Sequence, residues 1–391
     1  MLYRTFGKTG EKVSVLGYGN MRLPVVNNDY GVVDVDAAMK IVRHAIDNGV
    51  NYLDTSWPYH STSLEGGGSS EPFVGKVLKE VGRDKVFVAT KLPIWLVKSR
   101  EDMDSFLEKQ LERLGTDYVD FYLVHMINSS RWANLLQQNL GDFLDKALAS
   151  GKVRYVGFSF HDKPALFDEV LDYYDWSFCQ HVMNYYDVNF QAGLASLRKA
   201  HARGLGVVAM EPVMGGLLAD ALPEGAKKIF AESGIDRSPA AWSLRWGWDQ
   251  PELSLLLSGM STMAQVEENL RLAEEAETPL TCEELAVIDK VRKYLFEQFE
   301  IPCTQCNLCS CPHYIAIRDN FTIYNTTKLF NITGGIHDKN YDLMLRNSWQ
   351  EADLCLNCGK CDNMCPQGID IPTALRKVKR YYAQNSAAWG A

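Results

Sequence analysis

Val86-Phe-Val-Ala-Thr90, Arg100-Glu-Asp-Met-Asp-Ser-Phe-Leu-Glu-Lys-Gln-Leu-Glu-Arg-Leu114 and Tyr118-Val-Asp-Phe-Tyr-Leu-Val-His125 follow one another along residues 86–125. The outer two runs are short, β-branched and aromatic, as buried strands are. The middle run repeats its apolar residues at helical spacing, with Met103, Leu107, Leu111 and Leu114 on one face. Strand, helix and strand in that order make a βα unit of a parallel sheet.

The same alternation extends in both directions. Further strands centre on Val13–Gly19, Asn51–Thr55, Val153–Ser159, Trp176–Met183, Gly206–Glu211 and Leu253–Gly259, with helical patterns at Asp36–Asn48, Ser69–Val81, Pro164–Leu171, Asn189–Ala202 and Thr262–Glu275. Eight such strands imply a closed (β/α)8 TIM barrel, because a doubly wound open sheet normally has fewer and needs a switch in strand order. No G-x-G-x-x-G follows the first strand, which also lowers the dinucleotide-fold reading. The barrel is assigned to residues 1–280. Thr281 and Glu284 then form a capping box for a connecting helix over 281–299.

Residues 300–391 carry two cysteine runs, Cys303-x2-Cys306-x2-Cys309-x-Cys311-Pro312 and Cys355-x2-Cys358-x2-Cys361-x3-Cys365-Pro366. On these runs the segment reads as a small α-helical, ferredoxin-like iron–sulfur domain. The second run matches the bacterial 4Fe–4S pattern, and soft thiolates select such clusters or zinc over hard cations. All-cysteine zinc ribbons are the alternative, but they separate their paired knuckles by a dozen residues or more. The first run has one residue between Cys309 and Cys311 where three are usual. In two-cluster ferredoxins the fourth cysteine serves the other cluster. The expected pairing is therefore Cys303, Cys306, Cys309 and Cys365 on one cluster, with Cys355, Cys358, Cys361 and Cys311 on the other. Between the runs, Tyr341–Ala352 has helical pattern and Asn325–Gly335 reads as an exposed loop. Cys179 and Cys282 read as ordinary buried or half-buried thiols.

The chain has 391 residues, 46% hydrophobic and 23% charged, with a formal net charge of −9. It is long enough for one large core and a satellite domain. The acidic balance argues against nucleic acid and anionic membrane as main partners, and no apolar stretch is long enough to cross a bilayer. The N-terminus has no apolar signal-peptide core, and clusters with reduced thiols point to a cytoplasm, that of a microbe living with little oxygen.

Catalytic groups of such barrels come from the C-terminal ends of strands and the loops after them. Asp54, Lys91 and His125 end strands two, three and four, and Tyr59 lies in the loop after strand two. Reducing a carbonyl by hydride requires an acid for the developing alkoxide, and a phenol serves if a neighbouring ammonium lowers its pKa. Lys91 would supply that charge, Asp54 would hold Lys91 charged, and His125 would donate to the carbonyl oxygen. Tyr59 is then the general acid, or the base in reverse.

The surrounding stretches are Gly17-Tyr-Gly-Asn-Met21, Gly49-Val-Asn-Tyr-Leu-Asp54-Thr-Ser-Trp-Pro-Tyr59, Ser70-Glu-Pro-Phe-Val-Gly75, Ala89-Thr-Lys91, Asp117 to His125, Gly151-Lys-Val-Arg-Tyr-Val-Gly-Phe-Ser159 and Glu268-Asn-Leu270. In order and spacing they resemble the aldo-keto reductase family over roughly residues 1–295. The tail is similar to that of a subgroup with a ferredoxin-like C-terminal domain. The resemblance implies that Ser159 and Gln180 hold a nicotinamide carboxamide and that Glu268 and Asn269 lie near the adenine. Met210 stands where many members stack an aromatic ring on the nicotinamide. Gly259 and Gln265 replace the Lys and Arg that bind the 2′-phosphate in NADPH-preferring members. NAD(H) is therefore favoured over NADP(H).

Trp57, Trp95 and Tyr185 are candidates to line the substrate pocket, and Gly66-Gly-Gly-Ser-Ser70 reads as a mobile lid. The expected function is an oxidoreductase acting on a small carbonyl or alcohol, with two 4Fe–4S clusters relaying electrons to or from a protein partner. A carbonyl reductase with structural or redox-sensing clusters is one alternative. A non-enzymatic regulatory subunit on a reductase barrel, like potassium-channel subunits of this family, is another.

Overall fold

The computed structural model describes residues 1–189, 191–306, 308–332, 340–346, 349–361 and 363–385. It divides into two compact units, Met1–Leu218 with Ala240–Thr281 and Ala219–Pro239 with Cys282–Ala391. The segment 219–239, which the sequence reading placed in the barrel, thus groups with the second unit.

In the first unit, eight parallel strands close on themselves. They are β1 Leu16–Gly19, β2 Tyr52–Asp54, β3 Phe87–Leu92, β4 Val119–Ile127, β5 Val153–Phe160, β6 Phe178–Val182, β7 Gly206–Met210 and β8 Leu255–Ser258. Each pairs with its sequence neighbour, and β8 closes onto β1 with Leu256 opposite Leu16. The helices start where short polar side chains satisfy their free amides. Asp34 accepts from Ala37 N and Asn128 from Arg131 N, while Ser99 with Asp102 and Thr262 with Gln265 form capping boxes. Two short helices between β4 and β5, Ser129–Gln137 and Leu140–Ala149, were not expected from sequence.

An N-terminal hairpin, Tyr3–Thr5 with Lys12–Ser14, precedes the barrel. Beyond its first strand, Phe6 is fully buried, with its ring centroid 4.8 Å from Phe121 and 5.4 Å from Phe178. Edge-on aromatic packing of this kind fills one end of the barrel with side chains, so the barrel is a packed core and not a pore.

The second unit is helical among its described residues, with helices Glu224–Glu232, Cys282–Glu297, Ile317–Leu329, Asn340–Met344 and Ile371–Asn385. Its core includes Ile315, Phe321, Tyr324, Leu345, Leu375, Val378 and the stacked rings of Tyr341 and Tyr382, 3.7 Å apart. Three expectations need correction here. Asn325 does not begin an exposed loop: it lies in a helix, buried, accepting from Ile301 N at 3.1 Å and donating to Ile301 O at 2.7 Å. A buried peptide needs its partners, and this asparagine supplies both. The remainder of that stretch from 333 to 335 lies outside the described residues. Of the helix expected over Tyr341–Ala352, the described residues form a short one at Asn340–Met344, residues 347–348 lie outside them, and Trp349 has a φ of 54° that no right-handed helix accommodates. Cys282 is exposed at the start of its helix and not buried.

Candidate active site and metal-binding residues

The ends of β2, β3 and β4 carry Asp54, Lys91 and His125 to one mouth of the barrel. Lys91 Nζ lies 2.7 Å from both carboxylate oxygens of Asp54. It also donates to Thr55 O at 2.8 Å and to the Tyr59 hydroxyl at 3.3 Å. Lys91 and Asp54 are buried. Burial pushes the Asp54 carboxyl up and the Lys91 ammonium down, and each charge opposes the other's shift. Behind them, Gln110 bonds both Glu71, at 2.7 Å, and Lys91 O, at 3.0 Å, and Arg113 bonds Glu71 at 2.8 Å. This buried network holds the end of β3 in place.

The expected depression of the Tyr59 phenol is not met. Burial, then the Asp54 carboxylate, push it well above the usual value. A phenolate would lose its hydration here, and Asp54 offsets the ammonium meant to stabilise it. Tyr59 therefore rests protonated.

His125 lies within a register shift in β4 between Val124 and Ile127, and Met126 has a φ of 55°. Such a bulge re-aims a side chain at a strand end. His125 is held well below its ordinary value by burial, then by Lys91, His161 and Arg131. The ring is neutral. Its Nδ1 lies 3.0 Å from Ser56 Oγ, a partner two residues after Asp54 that sequence reasoning missed.

Two groups expected at the nicotinamide face each other across adjacent strands, Ser159 opposite Gln180. Both are buried, yet Ser159 Oγ and Gln180 Oε1 have no hydrogen-bond partner. Gln180 Nε2 donates to Met210 Sδ at 3.5 Å. Buried polar atoms without partners are costly unless something else fills them, and a bound carboxamide carries the matching donor and acceptor. These residues fit a nicotinamide.

Gly259, Gln265, Glu268 and Asn269 lie beyond β8, on the loop and the helix Met263–Ala273. Gln265 Oε1 is engaged at the cap, accepting from Ser261 N at 2.8 Å, and Asn269 donates to Ser258 Oγ at 3.0 Å. Gly259 leaves room for Arg22: a Cβ there would lie 3.1 to 3.2 Å from the arginine's aliphatic stem. Arg22 Nη2 is buried without a hydrogen bond, 3.9 Å from Glu211. No local sequence signal joins residues so far apart in the chain.

Of the candidate pocket aromatics, Trp95 lies beside His125, with ring centroids 5.4 Å apart. Trp57 packs edge-on against Phe106, and Tyr185 is fully buried. The glycine-rich segment is pinned and not a free lid: Gly68 N donates to Trp57 O at 2.8 Å and Gly68 O accepts from Arg113. A Cβ at Gly68 would collide with the Tyr59 carbonyl.

In the second unit, Cys303, Cys306, Cys309 and Cys365 line one cavity together with Arg318, Phe321 and Ile371. This is the crossed set expected from the spacing. The four thiols surround a shared space, and their tight spacing in the chain suits a cluster better than a zinc ribbon. In both runs the residue before the second cysteine is left-handed, Gln305 at φ 59° and Asn357 at φ 53°. The two turns therefore wrap alike. Gln305 N donates to Cys303 Sγ and His313 N to Cys311 Sγ, both at 3.4 Å. Ser310 N meets Met364 Sδ at 3.5 Å, which brings the two runs side by side.

The barrel, the tetrad at its mouth and the cysteine domain define an oxidoreductase with an appended iron–sulfur domain. The profile of the Aldo/keto reductase family matches residues 15–293, and that of a 4Fe-4S dicluster domain matches residues 301–369. The chain belongs to the aldo-keto reductase family. It is 32% identical over 295 residues to the L-galactose dehydrogenase of Arabidopsis thaliana, covering 70% of this chain and 89% of that one. The L-glyceraldehyde 3-phosphate reductase of Escherichia coli O157:H7 is 25% identical over 334 residues, 74% of this chain and 92% of its own. Among solved structures, the holo form of the aldo-keto reductase AKR11C1 from Bacillus halodurans superposes with a TM-score of 0.59. It is 27% identical and covers 74% of this chain and 96% of that one.

Proposed function

We propose that the barrel moves hydride between a nicotinamide dinucleotide and a small carbonyl or alcohol, and that the cysteine domain holds two 4Fe–4S clusters serving a protein partner. The observation that carries the first half is Lys91 Nζ bridging Asp54 at 2.7 Å and the Tyr59 hydroxyl at 3.3 Å, in a buried site that also holds the unfilled Ser159 and Gln180 atoms. Ser159 and Gln180 would orient the nicotinamide carboxamide, and Met210 would cover the ring. Nicotinamide bound there supplies or accepts the hydride. Tyr59 gives its proton to the carbonyl oxygen as that oxygen becomes an alkoxide. Because the phenol rests protonated, the acid is present over the whole working pH range. Lys91 acts after the proton leaves, stabilising the phenolate that remains. With Nδ1 accepting from Ser56, His125 carries its proton on Nε2 and donates it to the same carbonyl oxygen.

Cys303, Cys306, Cys309 and Cys365 would bind one cluster, and Cys311, Cys355, Cys358 and Cys361 the other. Clusters with thiolate-only ligation supply low-potential single-electron transfer, which hydride chemistry alone does not need. This motivates the partner and the cytoplasmic, oxygen-poor setting. NADH is the proposed cofactor, since Gly259 and Gln265 carry no cation; Arg22 is the residue to watch, because its guanidinium could receive a phosphate.

The test uses full-length protein purified without oxygen. About eight irons and eight sulfides per chain are expected. NADH should bind more tightly than NADPH. Tyr59→Phe should lower NADH-dependent aldehyde reduction about 10²-fold or more while iron content stays the same. Unchanged turnover in that variant, or a colourless protein with stoichiometric zinc, would defeat the corresponding half of the proposal.

A further inference from the structure

Arg131 carries a charge that no step above uses. It lies in the first turn of the helix Ser129–Gln137, directly after β4. Its guanidinium carbon is 5.6 Å from the centroid of the Trp95 indole, which in turn is 5.4 Å from the His125 ring. Nη1 donates to Met126 O at 3.2 Å, the carbonyl of the left-handed residue in the β4 bulge. Among the described residues no carboxylate pairs with it. By contrast, Arg83 meets Asp120 at 2.7 Å and Arg113 meets Glu71 at 2.8 Å.

The surroundings sharpen the point. Burial alone pulls the Arg131 pKa down, with no acidic neighbour opposing it. Burial first, then the charges of Lys91 and Arg131, lower the pKa of both His125 and His161, and these two cations are the charged side chains felt on this side of the mouth. A cation in a partly dry site is stabilised chiefly by an anion, and the planar fork of arginine matches a carboxylate or phosphate. That anion is not the cofactor's. The residues proposed for the nicotinamide and adenine run from β5 to the helix after β8, whereas Trp95 and Arg131 follow β3 and β4.

We propose that Arg131 is a specificity-determining residue that receives an anionic group, carboxylate or phosphate, at the far end of the substrate, about one indole's width from the carbonyl held by Tyr59 and His125. The substrate class is then a carbonyl or hydroxy compound with a terminal acid group. The proposal rests on the hydride-transfer reading of this mouth.

Full-length protein with NADH would be given three aldehydes of similar length: butanal, 4-oxobutanoate and glyceraldehyde 3-phosphate. The wild type should favour the charged aldehydes, and their relative rates distinguish carboxylate from phosphate. Arg131→Gln should lower kcat/KM for them about tenfold or more, mainly through KM, while butanal changes less than twofold. Arg131→Lys, which keeps the charge but loses the fork, should fall between. Calorimetric titration with succinate, which needs no turnover, should show binding to the wild type and none to Arg131→Gln. An equal loss for butanal and the charged aldehydes, or succinate binding unchanged by the substitution, would overturn the proposal and leave Arg131 as a buttress for Met126 and Trp95. If Arg131→Gln does not fold, Arg131→Met takes its place, and undiminished preference for the charged aldehydes or undiminished succinate binding in it overturns the proposal. Arg131-dependent succinate binding in a protein that reduces none of the aldehydes would sustain the anion site and defeat the hydride-transfer reading instead.

Discussion

At the scale of single residues, Ser56 Oγ lies 3.0 Å from His125 Nδ1, and a hydroxyl donating there leaves the proton of a neutral imidazole on Nε2. Ser56→Ala should lower kcat about tenfold, the size of one lost hydrogen bond worth about 1–1.5 kcal/mol. Nitrogen NMR of labelled histidine should show the His125 tautomers mixing in that variant. An unchanged tautomer with reduced kcat would assign Ser56 a packing role only. Asp54, Lys91 and His125 were legible in the sequence because each ends a strand, and strand ends are where such barrels do chemistry. Ser56 was not legible as a partner of His125, since that contact exists only once the ends of β2 and β4 share one mouth. Nor was the raised Tyr59 pKa, which depends on burial and then on the nearby Asp54 carboxylate.

At the scale of elements, the fourth cysteine of the second run sits with the first three of the other, which is one half of the proposed exchange. Cys365 shares a cavity with Cys303, Cys306 and Cys309, not with the other cysteines of its own run. Cys365→Ser should therefore damage the cluster at that cavity, seen as loss of about half the iron and of one paramagnetic signal after reduction. Loss confined to the cluster held by Cys355, Cys358 and Cys361 would show the pairing to be uncrossed. The spacing made this exchange readable, because Cys311 follows Cys309 too closely to complete the same site with ease. The strands were readable too, since period-two and buried apolar runs survive burial unchanged. The helices Ser129–Gln137 and Leu140–Ala149 were not, because they fill a loop where capping by Asn128, not a long apolar stripe, starts the first of them. Asn325 was misread for a related reason: asparagine usually marks a turn, but here it satisfies a buried peptide.

At the scale of the whole molecule, the barrel excludes protons from four imidazoles. His125 is held well below its usual value, His60 is lowered too, and His161 and His181 are each pulled down to about 4, burial being the largest cause in all four. In the unfolded chain they titrate near about 6.5. Between those limits the unfolded state binds more protons, so stability falls as pH drops from about 6.5 toward 4 and is fully restored above it. The melting temperature should decline across that window, and His181→Gln should make the decline shallower; an equally steep decline would exclude His181 as a contributor. The closure of the barrel has a further consequence, for synthesis. β1 cannot meet its last partner until Leu256 has been made, and Arg4 bonds carbonyls at Trp248, Leu253 and Ala276, at 2.9, 2.8 and 3.3 Å. While the ribosome is still adding those residues, the growing sheet has two unpaired edges, each able to capture another chain. Nascent chains halted before β8 should therefore depend on chaperones, whereas chains released beyond Ala276 have the seam with which to close themselves.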